Sequence, residues 1–130
     1  MNITEHVEFW KNCADHDLET AEMLFSSGRF DWCLFVAHLV VEKLLKACYV
    51  RDNGNRVPPK THNLLKLAEC TALQLSESQK LLLSEVSDFN IETRYPEYKN
   101  EFYKQCTREF TLDYFSRMKE LTVWLKSRLK

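Results

Sequence analysis

Glycine and proline are scarce in this sequence, and neither occurs inside a stretch of helical periodicity. Of the 130 residues, two are glycine and three are proline. All five fall between segments in which apolar residues recur every three or four positions, at Gly28, Gly54, Pro58, Pro59 and Pro96. Because these two residue types mark turns and loops, their placement predicts an all-α protein. The shortage of glycine also excludes a Gly-rich phosphate loop.

Long apolar runs, a leader sequence and cysteine pairs are missing as well. No uninterrupted apolar run approaches the length of a membrane span. The first twelve residues carry Glu5 and Glu8 where a secretory leader needs basic and then apolar residues. The five cysteines are irregularly spaced and contain no C-x-x-C pair. We therefore expect a cytoplasmic protein with reduced cysteines, no metal, no cofactor and no membrane contact.

The net charge is −1, but the charges are unevenly distributed along the chain. Residues 1–31 contain seven acidic and two basic residues, a local balance of −5. Residues 42–66 contain six basic and two acidic residues, a balance of +4. Such a basic segment can bind the phosphates of a nucleotide or an RNA, or attract the acidic face of another subunit. It can equally be an ordinary solvated surface.

Apolar periodicity predicts about five helices within a single domain that spans residues 1–130. Thr61 is expected to cap the third helix, and Ser76 with Gln79 matches a capping box for the fourth. The second helix is apolar around most of its circumference and should therefore be central. It and the last helix carry more apolar positions than one bundle stripe requires, which predicts a homodimer. The predicted helices cover residues 4–28, 30–51, 61–73, 77–89 and 101–129.

Two segments that flank the loop after the second helix resemble the HEPN domain family. They are residues 41–47, VEKLLKA, and residues 59–65, PKTHNLL. A third match is Arg94-Tyr95-Pro96, and the resemblance spans roughly residues 8–125. HEPN domains are small helical domains found in prokaryotes beside nucleotidyltransferases and in some ribonucleases. The resemblance therefore implies an up-and-down helical bundle with a four-helix core.

The same resemblance implies a function. The protein is expected to bind a nucleotide or RNA as the toxin-type partner of a separately encoded nucleotidyltransferase. Two alternatives stay open, a metal-independent endoribonuclease and a purely structural dimerisation module. The nuclease needs a histidine close to Arg94 in space, the binding protein needs only clustered lysine and arginine, and the structural module needs neither.

Lys43, Lys46 and His62 are the first candidate phosphate-binding residues. In HEPN-like proteins the E-K-x-x-K-A stretch lies on the central helix near the bundle cleft, which would place both lysines there. Glu42 and Lys46 can instead form an ordinary i,i+4 ion pair on the surface. His62, just after the expected cap Thr61, would lie in the first helical turn, where the helix dipole favours anions. It can instead fix the loop that enters the third helix.

The polar network near these residues is expected to be thin. Many family members carry glutamine just upstream of the E-K stretch, whereas this chain has His38-Leu39.

Arg94 and Tyr95 are the remaining candidates. Because Pro96 forces Tyr95 into an extended conformation, the arginine could clasp a phosphate while a base stacks on the tyrosine ring. In the alternative, Arg94 pairs with Glu92 or Glu97, and Tyr95 packs against the bundle. The three tryptophans, Trp10, Trp32 and Trp124, are expected in the core or at an interface rather than under bases.

No catalytic residue is assigned, and His62 and Arg94 are the candidates. HEPN ribonucleases resemble one another in an arginine followed four to six residues later by histidine. Arg56 and His62 have this spacing but lie in the wrong part of the chain. At the right place Arg94 is followed by Lys99, which is protonated at neutral pH and is a poor general base. We therefore expect little or no ribonuclease activity.

Overall fold

The computed structural model describes residues 1–130, and its regular structure is entirely helical. The predicted all-α bundle is confirmed, but it contains seven helices rather than five. In chain order the helices are α1 (Ile3–Ser26), α2 (Phe30–Asp52), α3 (Leu64–Glu69), α4 (Glu77–Ser87), α5 (Phe89–Arg94), α6 (Pro96–Gln105) and α7 (Arg108–Arg128).

The second helix, α2, is the centre of the bundle, as its apolar circumference predicts. Thirteen of its 23 residues are buried. It packs along α1 and α7 and also contacts α3, α4, α5 and α6. Its core side chains, including Leu34, Leu44 and Leu45, join Phe115 and Leu125 of α7 in one cluster. Because neighbours within the same chain cover α2, the only large apolar side chain that it exposes is Trp32.

The predicted cap is displaced by two residues at the start of α1 and is present at the start of α4. Asn2, rather than Thr4, caps α1, and its side chain accepts a hydrogen bond from the amide of Glu5. The chain leaves α1 through Gly28, whose φ of +76° favours glycine. At α4 the predicted capping box is present, with Ser76 and Gln79 bonded reciprocally.

The inward face of α4 is only partly as predicted. Leu82 and Val86 are buried, as expected, and Leu83 is buried with them. Phe89 is also buried, as expected, but it begins α5. Leu81 was expected to point inward but is 62% exposed.

The predicted third helix is much shorter than expected, which moves His62. Thr61 does not cap a helix, since its hydroxyl accepts a hydrogen bond from the amide of Asn63 in a local turn. Asn63 is the cap instead, and it accepts from the amide of Lys66. His62 therefore lies in the loop before α3, and the expected effect of a helix N-terminus on it is wrong.

The segment between α4 and the last helix is helical rather than a connector. Pro96 occupies the start of α6, and Tyr95 before it is extended, with φ −92° and ψ 128°, as the proline predicts. The predicted last helix is broken at Cys106 and Thr107. Thr107 then caps α7 by accepting a hydrogen bond from the amide of Phe110.

The cysteines are all free thiols. Burial raises the pKa of Cys33 and Cys106 to about 12 and that of Cys48 to about 11. These three side chains therefore stay protonated and pack as small apolar groups. Cys70, at the end of α3, is exposed instead. None of the seven helices combines the length and the apolar composition that crossing a membrane requires.

Candidate functional site

Four polar side chains meet on one face of α2, and we call them the Glu42 network. His38, Glu42 and Lys46 follow one another at intervals of four residues, so they lie on the same side of the helix. His62 reaches them from the loop before α3. The network therefore joins two segments that are twenty residues apart in sequence.

Glu42 is the centre of the network and is only 3% exposed. Its Oε1 atom lies 2.6 Å from Nδ1 of His62, and its Oε2 atom accepts a hydrogen bond from Lys46 at 3.1 Å. Nε2 of His38 is 3.9 Å from the same Oε1 atom. A buried carboxylate is costly unless both its charge and its lone pairs are satisfied. Here Lys46 supplies charge, and His62 supplies a second partner.

The bond to Glu42 decides which nitrogen of His62 faces outward. An ionised carboxylate can accept hydrogen bonds but cannot donate them, so Nδ1 of His62 must carry the proton. Nε2 then has no partner within the protein, while the His62 side chain is 48% exposed. The imidazole is therefore held at one edge and open at the other. This is a geometry in which Nε2 can exchange a proton or bind a ligand.

His38 is fully buried beneath these groups. Its Nε2 atom lies 3.3 Å from the backbone oxygen of His62, and its Nδ1 atom has no hydrogen-bond partner. Burial lowers the pKa of His38, and the charge of Glu42 offsets part of that effect. His38 is therefore neutral at neutral pH. It adds one hydrogen bond, to the backbone oxygen of His62, and lies 3.9 Å from Glu42, so the expectation of a thin network at His38-Leu39 stays a prediction.

Arg94 approaches from the end of α5 and lies on aromatic rings. Its guanidinium carbon is 5.9 Å from the centroid of Phe35 and 5.8 Å from that of Tyr95. Its Nε atom donates to the backbone oxygen of Asn90 at 3.1 Å. Neither Glu92 nor Glu97 pairs with it, so that alternative is wrong. Tyr95 itself is 49% exposed.

A row of rings connects Arg94 to the Glu42 network. Phe35, beneath the guanidinium, stacks on His38 with a centroid distance of 6.3 Å and an interplanar angle of 21°. The rings of His38 and His62 are 6.0 Å apart. The structure therefore places Arg94, Tyr95, His62 and Lys46 along one side of α2.

Lys43 lies elsewhere. Its ammonium pairs with Asp17 of α1, away from Glu42 and His62. Lys46 is bonded to Glu42 and also lies 5.2 Å from the ring centroid of Trp10. Both lysines are thus already engaged by an acidic side chain, whereas Arg94 is not. Lys99 lies over Trp32 at 5.3 Å.

His38, Glu42 and His62 also offer three metal-ligand atoms within 4.8 Å of one another. Neighbouring ligands of a tetrahedral zinc ion are about 3.3 Å apart, given bonds of about 2.0–2.1 Å. Nδ1 of His62 and Oε1 of Glu42 are separated by only 2.6 Å, which is a hydrogen-bond distance. The Lys46 ammonium also occupies the other oxygen of Glu42. The arrangement fits a hydrogen bond from Nδ1 of His62 to Oε1 of Glu42 better than a metal ion bound by both atoms.

Sequence reasoning missed three parts of this site, namely His38, Phe35 and the hydrogen bond between Glu42 and His62. The expected Glu42–Lys46 ion pair is present, but Glu42 is buried rather than on the surface. The spacing of His38, Glu42 and Lys46 was a usable signal, because polar residues four apart on an otherwise apolar helix must share one buried face. Nothing in the local sequence around Phe35 indicates the arginine that covers it, since Arg94 comes from a different helix.

Comparisons with known proteins agree with this fold. The model of the HEPN domain family matches residues 7–128. The crystal structure of TT1696 from Thermus thermophilus superposes with a TM-score of 0.82 at 20% identity, covering 99% of this chain and all of that one. The structure of ST0689, an archaeal HEPN homologue, gives a TM-score of 0.75 at 20% identity, covering 96% and 98% of the two chains. No curated protein sequence matches.

The chain belongs to the HEPN domain family, as the residues around Glu42 and His62 predict. At 20% identity, the similarity to the two solved structures shows the fold alone.

The buried His38 should make stability depend on pH. Its pKa is below the ordinary 6.5 in the folded state, so below pH 6.5 the unfolded chain binds a proton that the folded chain does not. His38 should therefore not reduce the free energy of unfolding above pH 6.5. Below that pH the free energy of unfolding should fall by up to about 1.4 kcal/mol per pH unit.

Urea denaturation between pH 7.5 and pH 5 tests this expectation. His38→Gln should flatten the profile, whereas His16→Gln, at an exposed position, should leave it unchanged. An equal slope in wild type and His38→Gln would contradict the assignment.

Proposed function

We propose that this protein binds the phosphate of a nucleotide or an RNA beside the Glu42 network. In this proposal it acts in the cytoplasm as the toxin-type partner of a separately encoded nucleotidyltransferase. The observation that carries the proposal is the Arg94 guanidinium, which is held on the rings of Phe35 and Tyr95 and has no carboxylate partner.

The two rings near Arg94 matter because they restrict its guanidinium without neutralising it. A guanidinium over aromatic faces keeps most of its N–H donors in the plane of the group. Only Nε is used within the protein, by the backbone oxygen of Asn90. The two terminal nitrogens can then make paired hydrogen bonds to phosphate oxygens. Less side-chain entropy is lost on binding, since the surroundings already restrict the arginine.

His62 and Tyr95 extend this anion site. Nε2 of His62 faces the open side of the network and can donate to a phosphate oxygen when protonated. The Tyr95 ring is exposed beside Arg94 and offers a surface for a base. Lys46 contributes positive charge, although part of it is offset by Glu42. Lys43, which pairs with Asp17, contributes least.

Replacing Arg94 tests the anion site directly. Arg94→Ala should weaken binding of a short single-stranded RNA, and the slope of log K against log salt should fall by about one unit, since one phosphate contact is lost. Arg128→Ala is a matched control, because Arg128 is also exposed and lies over a tryptophan, Trp124, at 5.4 Å. Fluorescence anisotropy across a salt series measures both. Equal slopes for the two variants would argue against the site.

A metal-independent ribonuclease is the second candidate, and the Glu42–His62 pair favours it. A carboxylate that fixes Nδ1–H leaves Nε2 able to accept a proton, as a general base requires. Against it stands Lys99, at the family position of the histidine, which lies over Trp32 rather than beside His62. The nuclease would thus depend on His62 alone.

We therefore predict little or no RNA cleavage by the purified protein in EDTA. The cleavage rate should be lower than that of an active homologue, because an acid–base group is missing and such a group typically raises the rate about 10² to 10⁴-fold. Gel analysis of a labelled RNA checks this. Robust cleavage that His62→Ala abolishes and Lys60→Ala does not would establish the nuclease instead.

The proposal also includes a homodimer. Exposed large apolar side chains on α7, Leu112 and Val123, support it. Light scattering should give twice the mass of one chain, and a single-chain mass at all concentrations would contradict it. A dimer that binds neither nucleotide nor RNA would point to the purely structural module.

A further inference from the structure

Aromatic side chains continue along α2 beyond the Glu42 network, toward the start of the helix. Trp32 and Phe35 are three residues apart and pack edge to face, with ring centroids 5.7 Å apart and an interplanar angle of 89°. Phe35 in turn stacks on His38. Trp32 is 37% exposed, so it does not lie in the core, which is one of the two locations expected for the tryptophans. The face of α2 thus changes from ionic at Lys46 to aromatic at Trp32.

Two cations from the following helices lie over this aromatic surface. Lys99 of α6 places its ammonium 5.3 Å from the centroid of Trp32, and Arg94 lies over Phe35. Neither cation forms an ion pair with a carboxylate. Asp31 lines the hollow beside Lys99 but is outside ion-pair distance. An exposed ring under one unpaired cation, with a second unpaired cation over the adjacent ring of Phe35, is complementary to a base joined to a phosphate.

We propose that Trp32 is a stacking platform for a nucleobase whose phosphate Arg94 binds. The inference rests on the proposed phosphate site and adds the residue that binds the base of the same ligand. A base joined to a phosphate is shared by a mononucleotide and by single-stranded RNA. Because stacking uses the π-face that every base has, the platform selects for the presence of a base and not for its identity.

Lys99 does not block the platform. A cation over an exposed ring contributes about a twofold to fivefold stabilisation, whereas stacking of a base contributes about fivefold to 150-fold in affinity. Exchange of the ammonium for a base is therefore favourable. The lysine stem is flexible, so Lys99 can move from the ring to the incoming phosphate. One side chain thereby covers the ring in the free protein and binds the ligand in the complex.

Binding of the full-length protein to three probes tests the platform. The probes are a short oligoadenylate, AMP, and ribose 5-phosphate, which has the phosphate and no base. Trp32→Ala should weaken oligoadenylate binding at least about fivefold and leave ribose 5-phosphate binding unchanged, while Trp32→Phe should retain most of the affinity. Trp124→Ala is the matched control, because its ring also lies under a cation, Arg128, but belongs to α7. Circular dichroism verifies that each variant folds.

The outcomes separate the platform from the phosphate site. If AMP shows the same dependence on Trp32 as oligoadenylate, a mononucleotide is the ligand, and if only oligoadenylate does, single-stranded RNA is. Unchanged oligoadenylate binding by Trp32→Ala would overturn the platform and leave the phosphate site standing. Failure of wild type to bind any probe would overturn both. Equal loss of all probes together with conversion to a monomer would make Trp32 an interface residue and overturn the platform.

Discussion

The buried carboxylate of Glu42 is the constraint around which this side of the molecule is arranged. A charge at the centre of an apolar helix is strongly unfavourable unless it is paired and hydrogen-bonded. Lys46, in the next turn of α2, bonds one oxygen of the Glu42 carboxylate. The other oxygen of Glu42 needs a partner from outside the helix. His62 supplies that partner. The position of the loop before α3 is therefore linked to the hydrogen bonding of the Glu42 carboxylate. Removal of Lys46 or His62 would leave one oxygen of the buried Glu42 without a hydrogen-bond partner.

The same constraint gives the surface its chemical asymmetry. Because Glu42 holds Nδ1 of His62 and one ammonium proton of Lys46, these groups are ordered but partly neutralised. Arg94 is ordered differently, by rings and a backbone oxygen, and keeps its full charge. An anion that approaches this side of α2 therefore meets one strong, uncompensated donor and a weaker imidazole beside it. That balance suits binding more than acid–base catalysis, which requires a second proton-transfer group close to His62.

Sequence reasoning predicted what local rules and periodicity govern. The central position of α2, the capping box at Ser76 and the extended Tyr95 before Pro96 all follow from patterns within a few residues. It failed where two local signals competed. Thr61 and Asn63 can each cap a helix, and Asn63 caps α3. The helical periodicity of the last segment also concealed the break between α6 and α7, where Thr107 caps α7. The contacts of Arg94 with Phe35 and of His62 with Glu42 depend on packing between separate elements, which no local pattern encodes.

Lys99 bears on both the proposed binding site and the nuclease alternative. Its ammonium lies over the ring of Trp32. Lysine supplies positive charge and is a poor general base at neutral pH. In the proposed function both properties act in the same direction, since they lower the capacity for cleavage and raise the attraction for phosphate. The location of Lys99 on Trp32 is therefore more consistent with the proposed binding site than with the nuclease alternative.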